Sequence, residues 1–198
     1  MIPIFVISLQ NATERREAMT KKLQALGLEF SFIDAVDGRL SSIHDQERYA
    51  GLKRLLYFGK HLNGGEWGCL ESHKKIYKKI RDEKIDMAII LEDDAILDDR
   101  FADVFDFLKK NNSRFDVIRF FGSPKIQKIK QRRLKHFFDK TWLSRLPSIH
   151  GGAHAYLMTQ SGAQKMLHYF DKKKVAYPID TLLGRCWETG IQSYAIHP

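Results

Sequence analysis

Cysteine is nearly absent: Cys69 and Cys186 are the only two in 198 residues, far apart and in no C-x-x-C pair. That excludes a disulfide framework and a zinc knuckle and leaves free buried thiols as the expectation. Long apolar runs are also missing. No stretch approaches the ~20 residues that a membrane-spanning helix requires. The opening Met1-Ile2-Pro3-Ile4-Phe5-Val6-Ile7 carries neither a basic leader nor a small-residue cleavage site, so it reads as a first strand and a cytoplasmic location is expected. The G-x-x-x-x-G-K-[ST] phosphate loop is absent, no G-x-G-x-x-G follows the first strand, and Asp94-Ala95-Ile96-Leu97-Asp98 breaks the alternation of a calcium loop. These gaps argue against a P-loop ATPase, a nicotinamide enzyme and an EF-hand. With no internal repeat or low-complexity linker, one domain over residues 1–198 is expected.

What remains is an ordinary globular composition, 43% hydrophobic and 29% charged, with a net charge of +9. Residues 2–9 form an apolar run suited to a strand covered on both faces. Asn11-Ala12-Thr13-Glu14 offers a helix N-cap with an acid in the first turn. Met19, Leu23 and Leu26 repeat at helical spacing, and Gly27 falls where a left-handed cap belongs. Phe30 to Ile33 alternates as a second strand before the turn Asp37-Gly38, which makes a βαβ unit. After a less readable stretch at 40–62, Asn63-Gly64-Gly65 precedes a helix from about Glu66 to Arg81 with the stripe Cys69, His73, Ile76 and Ile80. Asp86 to Leu91 is a strand, Phe101 to Leu108 an amphipathic helix, and Phe115 to Phe121 a strand closed by Gly122-Ser123-Pro124. Further on, a strand is expected near Ala153 to Met158, helices near Ser161 to Phe170 and Asp180 to Thr189, the latter capped by Gly190, and a strand at 191–196. The alternation predicts an α/β fold: an open, mostly parallel, Rossmann-like sheet with helices on both faces and ligands at the carboxyl ends of the strands.

The acidic triplet Glu92-Asp93-Asp94 stands at such an end, directly after Met87-Ala88-Ile89-Ile90-Leu91. Three adjacent carboxylates repel one another, and a divalent cation is the simplest compensator. Hard oxygen ligands favour Mg²⁺ or Mn²⁺. In an extended segment Glu92 and Asp94 point to the same side and can share one ion, while Asp93 turns toward other polar groups. The bland alternative is a solvated acidic loop.

Other features each carry two readings. Arg15 and Arg16, placed against the helix dipole, suit an anion-binding role for one of them or a solvated surface pair. His73 on an apolar helix face reads first as a core histidine. His150 and His154 have i, i+4 spacing, but Gly151-Gly152 between them argues against a helix and hence against a zinc pair; a backbone loop approaching an acceptor fits the two glycines better. Residues 125–145 hold eight Lys/Arg against the single acid Asp139, interleaved with Ile126, Ile129, Leu134, Phe137, Phe138 and Trp142. That suits contact with an anionic membrane surface, or equally a solvated helix or hairpin.

Taken together, Ile7-Ser8-Leu9 with Arg15-Arg16, Ala35-Val36-Asp37-Gly38, Gly65-Glu66-Trp67-Gly68-Cys69-Leu70-Glu71-Ser72-His73 and Leu91-Glu92-Asp93-Asp94-Ala95 resemble glycosyltransferase family 25, the lipopolysaccharide and lipooligosaccharide core galactosyltransferases. Gly152-Ala153-His154-Ala155-Tyr156-Leu157 through Gly162-Ala163 and Tyr177-Pro178-Ile179-Asp180 resemble its later segments in the same order. The resemblance implies a GT-A type fold, a UDP-sugar donor, commonly UDP-galactose, and a lipid-linked core oligosaccharide acceptor. Its D-x-D metal motif maps onto Glu92 and Asp94 as ligands of Mn²⁺ or Mg²⁺, with Glu92 replacing the first Asp. On this resemblance Ser8, Arg15, Arg16, Asp37, Gly65, His73 and Asp93 are the donor-binding candidates, and Gly151 and Gly152 the acceptor-binding ones. Inverting transfer needs a carboxylate to take the acceptor's proton; Asp180 is the candidate base, with a plain N-cap as its bland reading. Similar proteins usually continue beyond the position of Pro198, and a segment there could hold donor or acceptor contacts.

Two rival classes remain. A basic nucleic-acid-binding module is suggested by the charge but matches no RNA-binding signature, so no nucleic acid is expected. A Mg²⁺-dependent nucleotidyltransferase or phosphatase could use the same acidic strand end.

Overall fold

The computed structural model describes residues 2–40, 42–43, 46–103, 105, 108, 115–120, 132–138, 141–145 and 152–197. Strand β1 (Ile4–Ser8) is buried at all five positions, as a strand covered on both faces must be. Helix α1 (Thr13–Ala25) follows, then β2 (Ser31–Asp34), α2 (Gly51–Phe58), α3 (Gly64–Asp82), β3 (Met87–Glu92) and β4 (Val117–Phe120). The chain continues through β5 (Arg132–Phe138), β6 (Thr141–Arg145), β7 (Ala155–Thr159), α4 (Gln160–Lys172), the single turns α5 (Ile179–Leu182) and α6 (Cys186–Thr189), and β8 (Ser193–His197).

The strands form one sheet in the order β2-β1-β3-β7-β4-β8-β6-β5. Pairs β1–β2, β1–β3 and β4–β8 are parallel; β7 and β6 are antiparallel to both of their neighbours, so six of the eight strands run one way. This is the open α/β, Rossmann-like sheet expected of a GT-A type domain. Alternating residues of β1 divide between two apolar clusters. Phe5 and Ile7 pack with α3 and α4, while Ile4 and Val6 pack with Met19 and Leu23 of α1 and with Phe101, Phe105 and Leu108. Helices therefore cover both faces. None of the described helices is long and apolar enough to cross a membrane.

Several local expectations are met by clear causes. Gly27 and Gly190 adopt φ of +66° and +73° at helix ends, conformations that a side chain would disfavour. Helix α3 starts at Gly64, two residues before the start expected, because Asn63 caps it through a reciprocal capping box with Glu66. Two corrections apply. Helix α1 begins at Thr13 with Ala12 as its N-cap and no side-chain cap hydrogen bond, so neither Asn11 nor Thr13 performs the expected capping. The single helix expected over 180–189 is two separate turns, because the chain leaves helical geometry between Leu182 and Cys186, around Gly184. Within 125–145, the described residues 132–138 and 141–145 form a β-hairpin, one of the two forms left open by the sequence. Val104, Phe121 and the turn Gly122-Ser123-Pro124 lie outside the described residues.

Candidate active site

Parallel pairing brings the carboxyl ends of β1, β2 and β3 to one sheet edge, and antiparallel β7 starts at that same edge. The register of β3 on β7 sets Leu91 opposite Ala155, which places His154 beside Glu92. The backbone N–H of Glu92 donates to the His154 carbonyl at 2.8 Å, and Asp93 N–H to Ile7 O at 3.1 Å. The acidic triplet is thus tied to strands on both sides.

Below it lies a cleft of about 570 Å³, lined in part by Ser8, Arg15, Asp37, Gly65, Cys69 and the triplet itself. One wall is the loop through Asp37, packed directly on the start of α3. A Cβ on Gly38 would stand 1.9 Å from Gly64 O, and one on Gly68 would stand 2.4 Å from Val36 O. Ser72 pins the same loop, its Oγ accepting from Val36 N–H at 2.8 Å and donating to Gly68 O at 2.6 Å. The glycines at 38, 64 and 68 therefore serve backbone-on-backbone contact.

The three carboxylates have different surroundings. Asp93 is held inward: Ser8 Oγ–H donates to Oδ2 at 2.7 Å and Arg15 Nη1 to Oδ1 at 3.2 Å. Asp94 is mostly exposed, 3.8 Å from His154 Nδ1. Glu92 is four-fifths buried, with Oε2 3.0 Å from His154 Nδ1, and Oε1 3.2 Å from His73 Nε2 and 3.3 Å from the Cys69 thiol. Burial alone would raise its pKa, but the hydrogen bond and electrostatic attraction of His73, the thiol and His154 together outweigh burial and hold that pKa at about 2. Glu92 is therefore an anion at any physiological pH. The Cys69 thiol is pushed up by burial first and then by Glu92, so it acts as a neutral donor.

Behind Glu92 runs a buried relay. His73 Nδ1 lies 2.6 Å from Tyr156 Oη, which lies 2.8 Å from Tyr77 Oη, and all three residues are fully buried. Burial keeps both phenols protonated. One order satisfies every atom: Tyr77 donates to Tyr156, Tyr156 donates to His73 Nδ1, and His73 Nε2–H donates to Glu92.

The expected site residues thus fall into groups. Ser8, Arg15, Asp37, Gly65, Glu92, Asp93 and Asp94 line one cleft. His73 stands a layer behind it. Arg16 turns away, donating to the carbonyls of Ser8 and Leu9 and pairing with Asp34 at 2.6 Å, so it braces the ends of β1 and β2. The Asp37 carboxyl is held near 2, chiefly by a side-chain hydrogen bond from Arg39 and then by that residue's backbone N–H. Asp180, in the first turn of α5, does not line the cleft, although its charge reaches Cys69 and raises that thiol further. Its Oδ1 accepts from Thr181 N–H at 2.5 Å. Gly152 has φ of +115°, whereas Gly151 and His150 lie outside the described residues.

Among the described residues, two donor sets could hold a metal: Glu92, Asp94 and His154, or Cys69, His73 and Glu92, each with ligand atoms within 4.8 Å of one another. The second is already satisfied by internal hydrogen bonds and contains a thiol that resists ionisation. The first has two carboxylates and an imidazole at the exposed rim, a set that suits Mn²⁺ or Mg²⁺. His154 is the residue missed from sequence, because its place depends on strand register and not on spacing to His150.

A family model described as "Glycosyltransferase family 25 (LPS biosynthesis protein)" matches residues 1–183. "Procollagen galactosyltransferase 1-B" of Xenopus laevis is 34% identical over 96 residues, 46% of this chain and 16% of that protein. A "Glycosyltransferase 25 family member" of Aedes aegypti is 30% identical over 191 residues, 89% of this chain and 29% of its own. "Lipooligosaccharide biosynthesis protein lex-1" of Haemophilus influenzae is 29% identical over 196 residues, 83% of this chain and 62% of its own. The chain thus spans between about a sixth and three-fifths of these relatives.

Proposed function

Because the chain belongs to glycosyltransferase family 25, we propose that it transfers a hexose, galactose first among candidates, from a UDP-sugar to a lipid-linked core oligosaccharide. The observation that carries this reading is the convergence of Glu92, Asp94 and His154 at the rim of the 570 Å³ cleft. A cleft of that size suits a sugar nucleotide. Galactose is supported by relatives named as galactosyltransferases, and the glycan acceptor by the lipooligosaccharide relative.

In this mechanism Glu92, Asp94 and His154 would hold Mn²⁺ or Mg²⁺. The chemistry a bound cation supplies is neutralisation of the negative charge that develops on the departing diphosphate. Glu92 needs no deprotonation step, since its surroundings keep it ionised. Asp93, steadied by Ser8 and Arg15, turns its remaining lone pairs to donor hydroxyls. Arg15, with a side chain 62% exposed, has guanidinium N–H groups left for a phosphate oxygen. Asp180, which stands outside the cleft lining but whose charge reaches Cys69 within it, is the carboxylate assigned to take the proton from the acceptor hydroxyl as the new glycosidic bond forms on the face opposite the leaving group.

The test is thermal stabilisation by UDP with and without Mn²⁺ in the unaltered and Asp94→Ala proteins. Metal-dependent stabilisation that vanishes in Asp94→Ala is expected. UDP stabilisation that ignores both Mn²⁺ and the substitution would overturn the metal assignment.

A further inference from the structure

Helix α2 is inverted with respect to its own polarity. The one side chain it buries is Arg54, 5% exposed, with its guanidinium 4.1 Å from the Phe58 ring centroid. Leu52, Leu56 and Tyr57 are instead 73%, 76% and 71% exposed, and Leu55 and Phe58 are 43% and 45% exposed. Positions 52, 55 and 56 form a single helical stripe, the pattern that normally faces a core. Here it faces out.

The patch continues past the helix. Phe58 meets Tyr177 edge-on at 5.7 Å, and Arg185 lies over both Tyr177 at 4.1 Å and the 67% exposed Trp187 at 4.8 Å. Its rim is cationic. Residues 48–65 contain no Asp or Glu but include Arg48, Lys53 and Lys60. The bridge between Tyr49 and Val175 brings the exposed run Lys172-Lys173-Lys174 alongside. Apolar and aromatic side chains beside Arg48, Lys53, Lys60 and Lys172–Lys174, which outnumber the neighbouring exposed acids Glu47 and Asp171 while Arg185 is paired with Glu188, complement an anionic lipid surface, whose headgroups meet the lysines while its acyl boundary takes the leucines and aromatics.

We propose that this face of α2, with Trp187, docks the protein peripherally on an anionic lipid bilayer. Tyr177 beneath the patch leads within three residues to Asp180, so docking would hold the acceptor side of the site near the membrane. That last consequence rests on the transfer reading above, whereas lipid binding does not.

Co-sedimentation with extruded vesicles tests it, comparing phosphatidylglycerol/phosphatidylcholine mixtures with phosphatidylcholine alone, at low and high salt and without donor. Binding to the anionic vesicles only, weakened by salt, is expected. Leu52→Ser/Leu56→Ser and, separately, Lys53→Glu/Lys60→Glu should each lower partitioning by about tenfold or more. The serine pair should leave the melting temperature unchanged, because both leucines are solvent-facing. No sedimentation, equal sedimentation with neutral vesicles, or variants that bind as the unaltered protein does would overturn the proposal. So would light scattering that shows a dimer dissociated by the serine pair, which would assign the face to a second copy. A missing UDP response would leave vesicle binding intact, and the two readings therefore fail separately.

Discussion

Tyr156→Phe deletes a single oxygen at a point where neither solvent nor another residue can replace it. Tyr156, Tyr77 and His73 are each fully buried, and the Tyr156 hydroxyl serves both of the others, at 2.8 and 2.6 Å. Its loss strands the Tyr77 O–H donor and the His73 Nδ1 acceptor. An unsatisfied buried polar group costs ~1–3 kcal/mol, so with some relaxation the variant should lose ~2–4 kcal/mol. For a chain of this size 1 kcal/mol corresponds to ~2–4 °C, which gives a fall in Tm of roughly 5–15 °C. Tyr77→Phe alone leaves Tyr156 donating to His73 and should cost only ~1 kcal/mol. In the double variant no hydroxyl is stranded at position 77, so the loss should fall short of the sum by ~1 kcal/mol or more. Guanidinium unfolding of the four proteins completes the cycle. A Tyr156→Phe protein within ~0.5 kcal/mol of the unaltered one, or strict additivity in the double variant, would refute the relay. Because the relay ends on Glu92, the single variant should also weaken Mn²⁺-dependent UDP stabilisation.

Two further outcomes address the rim and its charge. His154→Ala should weaken Mn²⁺ binding by about 10–100-fold, read as the concentration needed for UDP stabilisation, with metal-free stability within ~0.5 kcal/mol because the side chain is 66% exposed; an unaltered Mn²⁺ requirement would remove His154 from the ligand set. Glu92 has a folded value of about 2 against an ordinary 4.5, so its contribution is complete above about 4.5 and is lost as pH falls toward 2. In chelator, Glu92→Gln should therefore be less stable at neutral pH by a few kcal/mol, at order of magnitude, and its stability curve should converge on that of the unaltered protein in acid; parallel curves would show that the ionised carboxylate is not what the surrounding donors hold.

Sequence reveals this site where the signal is local. The five buried residues of β1 and the apolar run ending abruptly at Glu92 identify two neighbouring strand ends, and Gly27 and Gly190 mark helix ends, because each depends on residues within a few positions. Arg15 and Arg16 show the limit of adjacency. Neighbours on a helix point about 100° apart, so only Arg15 reaches Asp93 while Arg16 is drawn to the ends of β1 and β2.

His154 was hidden for a different reason. Its spacing to His150 says nothing about a metal, and the relevant spacing, 62 residues back to Glu92, is created only when β7 pairs antiparallel with β3. Helix α2 was hidden in a third way. Hydrophobic periodicity reports where apolar side chains lie on a helix but not what they face, and a stripe turned toward solvent has the same period as one turned toward a core. The stretch at 40–62 reads poorly because the apolar positions of α2 within it face solvent, while Ile43, Tyr49 and Leu62 on either side enter the core without a regular period. Among the described helices α3 and α4 bury their apolar faces, and the exposed stripe of α2 is the exception on which the docking proposal rests.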